Sequence, residues 1–438
     1  MDYEEAIRYM QGAAAAGIKP GLERITALLG RLGNPERRFP AAHVGGTNGK
    51  GSVCAFLTAV LAAAGYKTGT FTSPHLHSYT ERFRINGAAI EPVRLAGLIA
   101  AVRPALETLR AGGVVPTEFE IHTALAFLFF AREAVDVAVV EVGLGGRYDA
   151  TNVVSPEVVV ITNVTVDHTD YLGESLEQIA GEKAGIIKPG VPVVTGAEGA
   201  ALAVIERECA ARGAPLFVLG RDFRPEVRKS DLAGQELDVR GWWGKYRDLR
   251  IRLLGQHQLY NAACAVAAAR LLAERGWRLG EAAVREGLAA VTWPGRLEVL
   301  QENPPVILDG AHNTAGAVAL REALQDYFPG RPLVLVIGML ADKERAEAAA
   351  VLCPLARAVV VTRPPGSRAG DWRVLAALAR RYVPAVDEIE DVAAAVERAL
   401  VLARPEDAVV VTGSLYLIAE VRAFLARRDR SFRTGKLR

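Results

Sequence analysis

Ala41-Ala42-His43-Val44-Gly45-Gly46-Thr47-Asn48-Gly49-Lys50-Gly51-Ser52 runs without interruption into Val53-Cys54-Ala55-Phe56-Leu57-Thr58-Ala59-Val60-Leu61. A short apolar run, a glycine-rich bend and a helix-like run, in that order, predict a strand, a phosphate loop and a helix. The glycines let backbone N–H groups turn inward around a phosphate. Lys50 adds a point charge for the outer phosphates, and the helix N-terminus adds partial positive charge. The stretch departs from G-x-x-x-x-G-K-[ST] twice: Val44 stands at the first glycine, and Gly51 follows the lysine where a hydroxyl normally reaches Mg²⁺. Ser52 comes one residue late, so another hydroxyl is expected to meet the metal. A plain strand-to-helix turn is the alternative, and the flanking runs weigh against it.

Outward from the loop, apolar β-branched runs recur between helical stretches at Thr68 to Thr72, Val135 to Val142, Val158 to Thr162 and Val191 to Thr195. They lack clean alternation, which suits a mostly parallel sheet buried on both faces by helices. Helices are predicted before the loop, from Tyr3 to Ala15 and from Leu22 to Leu32. Between Arg221 and Leu254 the texture becomes polar and aromatic, predicting short antiparallel strands. Helices from Leu259 to Arg275 and Gly280 to Ala290 lead to the breakers Trp293-Pro294-Gly295-Arg296. There the boundary is placed: a phosphate-loop ATPase domain over 1–294 and a smaller Rossmann-like α/β domain over 295–438, whose strands are expected at Val306 to Leu308, Leu333 to Ile337, Ala358 to Thr362 and Ala408 to Thr412. Polar loops on both domains imply a cleft that closes over phosphoryl transfer.

Composition narrows the function. The chain has 438 residues, too long for one core, and 50% of them are hydrophobic. A net charge of +2 with dispersed basic residues gives no footprint for nucleic acid, and the basic stretch from Arg427 to Arg438 reads as a solvated tail. The start, Met1-Asp2-Tyr3-Glu4-Glu5, is acidic rather than signal-like, and no apolar run spans a bilayer; a cytoplasmic protein without membrane partners is expected. Cys54, Cys209, Cys264 and Cys353 are scattered in apolar contexts, as buried thiols rather than a zinc site or disulfide framework.

In open parallel sheets ligands gather at the carboxyl ends of strands, so the polar clusters there are the candidates. Thr72-Ser73-Pro74-His75 offers a hydroxyl for Mg²⁺ or is an ordinary Ser-Pro turn. Glu141, before Val142-Gly143-Leu144-Gly145-Gly146, is placed like a metal-handling acid or caps a sheet end. His168 is a possible if unusual Mg²⁺ ligand, or a surface histidine. Lys183 in Glu182-Lys183-Ala184-Gly185-Ile186 reads as a solvated helix-face charge. In the second domain Asp309 is suited to ribose hydroxyls or a metal-bound water and His312 to phosphate, unless Asp309-Gly310-Ala311-His312-Asn313 is only a capping turn.

Taken together, Gly46 to Ser52, Ser73-Pro74-His75-Leu76, Glu141 to Asn152, Asp167-His168-Thr169, Glu182 to Ile186, Pro294-Gly295-Arg296 and Asp309 to Asn313 resemble the folylpolyglutamate synthase/dihydrofolate synthase family, the folate branch of the Mur ligases. The resemblance runs in order over most of the chain, and Gly51-Ser52 after the lysine is typical of this branch. It implies a Mur ligase-like fold and ATP-driven ligation of L-glutamate to a folate or dihydropteroate carboxylate through an acyl phosphate. It implies Ser73, Glu141 and His168 as Mg²⁺ ligands, and Asn48, Gly49, Lys50, Gly51 and Ser52 around the triphosphate. Asn261, Arg296 and Asp309 match positions that hold ATP, with His312 close by. Lys50, Lys183 and His312 are the implied catalytic groups, Lys183 matching a lysine that becomes carbamylated. Thr117, Glu118, Phe119 and Glu120, and Tyr148, Asp149 and Ala150, fall where dihydropteroate binds in bifunctional members. A monomer is implied. The competing readings are a Mur-type ligase for another acid and amino acid, a phosphate-loop kinase or switch, and a noncatalytic nucleotide-binding module.

Overall fold

The computed structural model describes residues 1–433. The chain divides into two compact units, one of residues 1–229, 235–252 and 258–291 and the other of residues 230–234, 253–257 and 292–438. The second unit thus opens at Thr292 and takes in two short upstream pieces that no linear boundary includes.

Eight strands make the main sheet of the first unit: β1 (Ala41–Gly45), β2 (Thr68–Phe71), β3 (Phe83–Ile85), β4 (Ala88–Ala89), β5 (Val137–Glu141), β6 (Pro156–Ile161), β7 (Val193–Thr195) and β8 (Leu216–Val218). Their order is β4-β3-β2-β5-β1-β6-β7-β8. From β2 to β8 every neighbouring pair is parallel, and only β3 and β4 run antiparallel at one edge. All residues of β1 and β5 are buried, the two-sided burial that the unalternating apolar runs predict. Helices Glu118–Arg132 and Pro92–Ala111 supply Leu95, Ile99, Phe127 and Phe130 to a core that also holds Phe71 and Phe83. Full burial of one such side chain contributes about 1.5–3 kcal/mol, so the sheet's centre is a rigid base for the loops at its carboxyl edge.

Three further strands, β9 (Phe223–Asp231), β10 (Gly234–Gly241) and β11 (Gly244–Ile251), form a separate sheet in the order β11-β10-β9. The β10–β11 pair is antiparallel, as the polar, aromatic texture predicts.

The second unit is built on β12 (Glu298–Glu302), β13 (Pro305–Leu308), β14 (Leu333–Ile337), β15 (Ala356–Val361), β16 (Val386–Glu388) and β17 (Ala408–Thr412), ordered β12-β13-β17-β14-β15-β16. Only the β12–β13 pair is antiparallel. Arg345 ties its loops together: the guanidinium donates to the carbonyls of Leu340 (3.0 Å), Met339 (2.7 Å), Ala369 (2.6 Å) and Asp371 (2.7 Å). Tyr327 anchors both upstream pieces, its hydroxyl lying 2.7 Å from Ser230 Oγ and accepting from the Gly255 N–H at 3.0 Å. No helix among the described residues is long and apolar enough to cross a membrane. The basic stretch from Arg427 enters the helix Leu415–Arg433, and its last part, 434–438, lies outside the described residues.

Candidate active site

Because β2, β5, β1 and β6 are parallel neighbours, the loops that follow them emerge side by side. The phosphate loop leaves β1, and the helix Lys50–Ala63 begins at its lysine with Gly49 in the left-handed conformation at φ +83°. Two glycines here admit no side chain. A methyl on Gly46, at φ +129°, would stand 2.0 Å from Thr162 Oγ1, and one on Gly49 would stand 2.3 Å from Asn261 Oδ1. The second contact brings Asn261, from the distant helix Gln256–Glu274, onto the loop.

The loop that follows β6 clasps the phosphate loop. Asn163 accepts from the N–H of Asn48 through Oδ1 and from the N–H of Thr47 through its carbonyl, both at 2.9 Å. Thr162 Oγ1 donates to the Asn48 carbonyl at 2.6 Å. Thr47 and Thr165 exchange hydrogen bonds at 3.2 and 3.0 Å. Motif reading did not single out Asn163 or Thr162; the only signal was their place after a strand that flanks β1.

Lys50 and Lys183 meet on one carbonyl. Lys50 Nζ donates to the Gly46 and Thr47 oxygens at 3.2 and 3.0 Å, and Lys183 Nζ donates to the same Gly46 oxygen at 3.1 Å. Lys183 is only 4% exposed, which corrects its expectation as a solvated helix-face charge. Burial, reinforced by the Lys50 charge, pushes its amine from 10.5 down to about 7, against the pull of Asp167 and Asp149.

On the other flank Glu141, the last residue of β5, pairs in register with Val44 and accepts from the Ser73 N–H at 2.9 Å through Oε2. Ser73 and Glu141 are therefore adjacent. His168 is left-handed at φ +55°, and its N–H donates to Asp167 Oδ1 at 2.8 Å. Among the described residues no three His, Cys, Asp or Glu side chains converge as a metal site. The donors fit a hard cation in another way: a carboxylate beside a serine is oxygen chemistry of the kind Mg²⁺ takes, and in the first turn of the helix Lys50–Ala63 the Ser52 hydroxyl is buried and without a hydrogen-bond partner.

Of the two stretches implied for dihydropteroate, the first lies against the glycine loop that follows Glu141. A methyl on Gly143 would stand 2.4 Å from the ring of Phe119, which packs on Phe71 with centroids 5.8 Å apart. Within them several polar groups are engaged by the fold. Thr117 and Glu120 form a capping box at the start of Glu118–Arg132, and Glu120 also pairs with Arg24 at 3.1 Å. Glu118 Oε1 accepts from the Tyr79 hydroxyl at 2.8 Å. Asp149 caps the turn Ala150–Val153, whereas Tyr148 is 53% exposed.

In the second unit Asp309 follows β13 and is nearly buried, accepting from the N–H groups of Leu297 and Ala311, each at 2.8 Å. A methyl on Gly310 would stand 2.5 Å from Arg296 Nη1, so the Arg296 side chain lies against the turn that Asp309 begins. His312 Nδ1 lies 2.8 Å from the Gly310 carbonyl. His257 was not anticipated: it faces both Asp309 and Arg296, and burial lowers its pKa. Gln258 was also missed; its Oε1 accepts from Asn261 Nδ2 at 3.0 Å and orients that amide.

A phosphate loop on a mainly parallel sheet, followed by a smaller α/β unit, defines a ligase of the Mur class. Residues 44–269 match the Mur ligase middle domain, and residues 295–415 match the Mur ligase, glutamate ligase domain. The dihydrofolate synthase/folylpolyglutamate synthase of Bacillus subtilis is 39% identical over 96% of this chain and 98% of its own length. The folylpolyglutamate synthase of Mycobacterium tuberculosis complexed with ADP superposes with a TM-score of 0.91 at 37% identity, covering 96% of this chain and 97% of that one. Escherichia coli FolC in complex with DHPP and ADP gives 0.89 at 33% identity over 98% and 99%. The chain belongs to the folylpolyglutamate synthase/dihydrofolate synthase family.

Proposed function

We propose that this protein joins L-glutamate to the carboxylate of a folate or of dihydropteroate, using ATP and passing through an acyl phosphate. The observation that carries this reading is the meeting of Lys50 and Lys183 on the Gly46 carbonyl, within a loop whose strand lies beside the Glu141 end of β5. Relatives solved with ADP, and with AMPPCP and folate, support the same ligand classes.

A carboxylate is a poor electrophile, and its charge repels ATP. The loop N–H groups and Lys50 would hold the triphosphate, with Asn261, Arg296, Asp309 and His312 assigned to ATP as the family pattern implies. Ser73, Glu141 and His168 would hold Mg²⁺. When bound, Mg²⁺ offsets the charge shared between the phosphates and the acid. The γ-phosphoryl group then moves from the ADP oxygen to a carboxylate oxygen. The glutamate amine attacks the acyl carbon, loses a proton and expels phosphate. Keeping water out protects the acyl phosphate, and holding the amine beside it replaces a slow bimolecular encounter. We assign Lys183 to carbamylation. An amine that is half neutral near pH 7 is nucleophilic toward CO₂, and the product exchanges a cation for an anion.

Labelled glutamate, offered with ATP and either dihydropteroate or tetrahydrofolate, tests the reading. Incorporation into one or both acids is expected, and Lys50→Ala is expected to abolish it in a folded protein. ATP turnover indifferent to glutamate, or turnover only with UDP-linked muropeptides, would overturn it.

A further inference from the structure

We propose that His43 and Thr151 are positioning residues for the acid substrate: through them the centre of the sheet sets the orientation of Asp149 and of the glycine loop after Glu141. The proposal rests on the proposed function and on the family resemblance, which implies that Asp149 falls where dihydropteroate binds.

His43 is the middle residue of β1, fully buried, with Val140 and Val159 as its partners on the neighbouring strands. Its Nε2 lies 2.9 Å from Thr151 Oγ1. That hydroxyl donates its proton to Asp149 Oδ1, which also accepts from the Thr151 N–H at 3.0 Å. A hydroxyl has one proton to give, so His43 Nε2 must carry the hydrogen and donate to Thr151. The other oxygen of Asp149 accepts from the Leu144 N–H at 2.8 Å. The donors therefore converge on the Asp149 carboxylate: His43 through the Thr151 hydroxyl from the sheet's core, and the Leu144 N–H from the loop.

Stability alone does not explain the histidine. Its Nδ1 is buried without a hydrogen-bond partner, and an aliphatic side chain between two valines would leave no polar atom there. Burial and the Lys188 charge push the imidazole down to about 3, so it stays neutral and keeps one direction of donation across the working pH range. The far side of the loop is anchored separately, by Asn152 Nδ2 donating to the carbonyls of Arg147 (2.9 Å) and Gly185 (3.2 Å). Removing the Thr151 hydroxyl thus takes from Asp149 the one donor that ties it to the sheet's core, while these anchors keep the loop in place.

Thr151→Val, Thr151→Ser and His43→Leu test this, with the folate-type acid that the wild type uses and ATP varied separately in steady-state kinetics. In Thr151→Val the KM for the acid is expected to rise about tenfold while the KM for ATP stays within about twofold. Thr151→Ser, which keeps the hydroxyl, is expected to match the wild type, and His43→Leu to show the same split as valine. If His43→Leu does not fold, the Thr151 pair decides. An unmoved acid KM in Thr151→Val, a parallel rise for ATP, or a serine variant as impaired as valine overturns the proposal alone. A wild type that incorporates no glutamate overturns the ligase reading and this proposal with it.

Discussion

Replacing Lys183 by methionine is expected to abolish ligation and yet stabilise the protein, by an amount that shrinks as pH rises. A lysine amine that falls from 10.5 to about 7 on folding is charged in the unfolded chain over a range where the native site prefers it neutral. The native state is then penalised by about 1.4 kcal/mol for each tenfold loss of proton affinity. Integrated over that range, the penalty is about 4 kcal/mol at pH 7, where half the native amines are charged, and about 2 kcal/mol at pH 9. It vanishes above the unfolded pKa and is greatest below pH 7. Methionine fills a similar volume without charge, so its own stability is indifferent to this titration. Urea unfolding of both proteins at pH 7 and pH 9, in buffer stripped of CO₂ to keep the amine unmodified, reads the effect as a change of about 2 kcal/mol in their stability difference. A difference that does not move with pH would mean that Lys183 titrates as an ordinary exposed amine, and the burial argument would be wrong.

Two further substitutions probe the scaffold. Gly46→Ala places a methyl 2.0 Å from Thr162 Oγ1 at a left-handed φ, so a loss of about 2–5 kcal/mol is expected in denaturant unfolding; a wild-type midpoint would refute the close approach. Arg345→Met strands four loop carbonyls and is expected to destabilise by about 3–5 kcal/mol, with Arg345→Lys recovering little because one ammonium cannot span the same fork. Thermal unfolding of the lysine variant at the wild-type temperature would contradict that.

The central strands were legible because β-branched runs between helices carry their own signal: Leu333–Ile337 and Ala408–Thr412 stand where the sequence puts them. The edges were not. β4 is two alanines, β16 a three-residue Val-Asp-Glu, and β12 a polar strand that exists through its pairing with β13. Site residues divide along the same line. Lys50 and Glu141 could be found because each sits where a strand ends, but nothing local says that Asn261 abuts Gly49 or that Lys183 is buried on the Gly46 carbonyl. Those facts belong to long-range packing. Glu120, which the resemblance places where dihydropteroate binds, is also engaged by the fold in a capping box and an ion pair with Arg24, and that ion pair cannot be read locally.

The pieces 230–234 and 253–257 give the chain an order of events. Both leave the ribosome well before Tyr327, whose hydroxyl they will meet, so the C-terminal body cannot be finished from its own contiguous stretch. A gene fragment starting at Thr292 would encode a body lacking two of its parts, and the complementary fragment would carry them as loose ends; splitting this protein into independently expressed halves calls for a cut that respects the braid rather than the breaker cluster at Pro294.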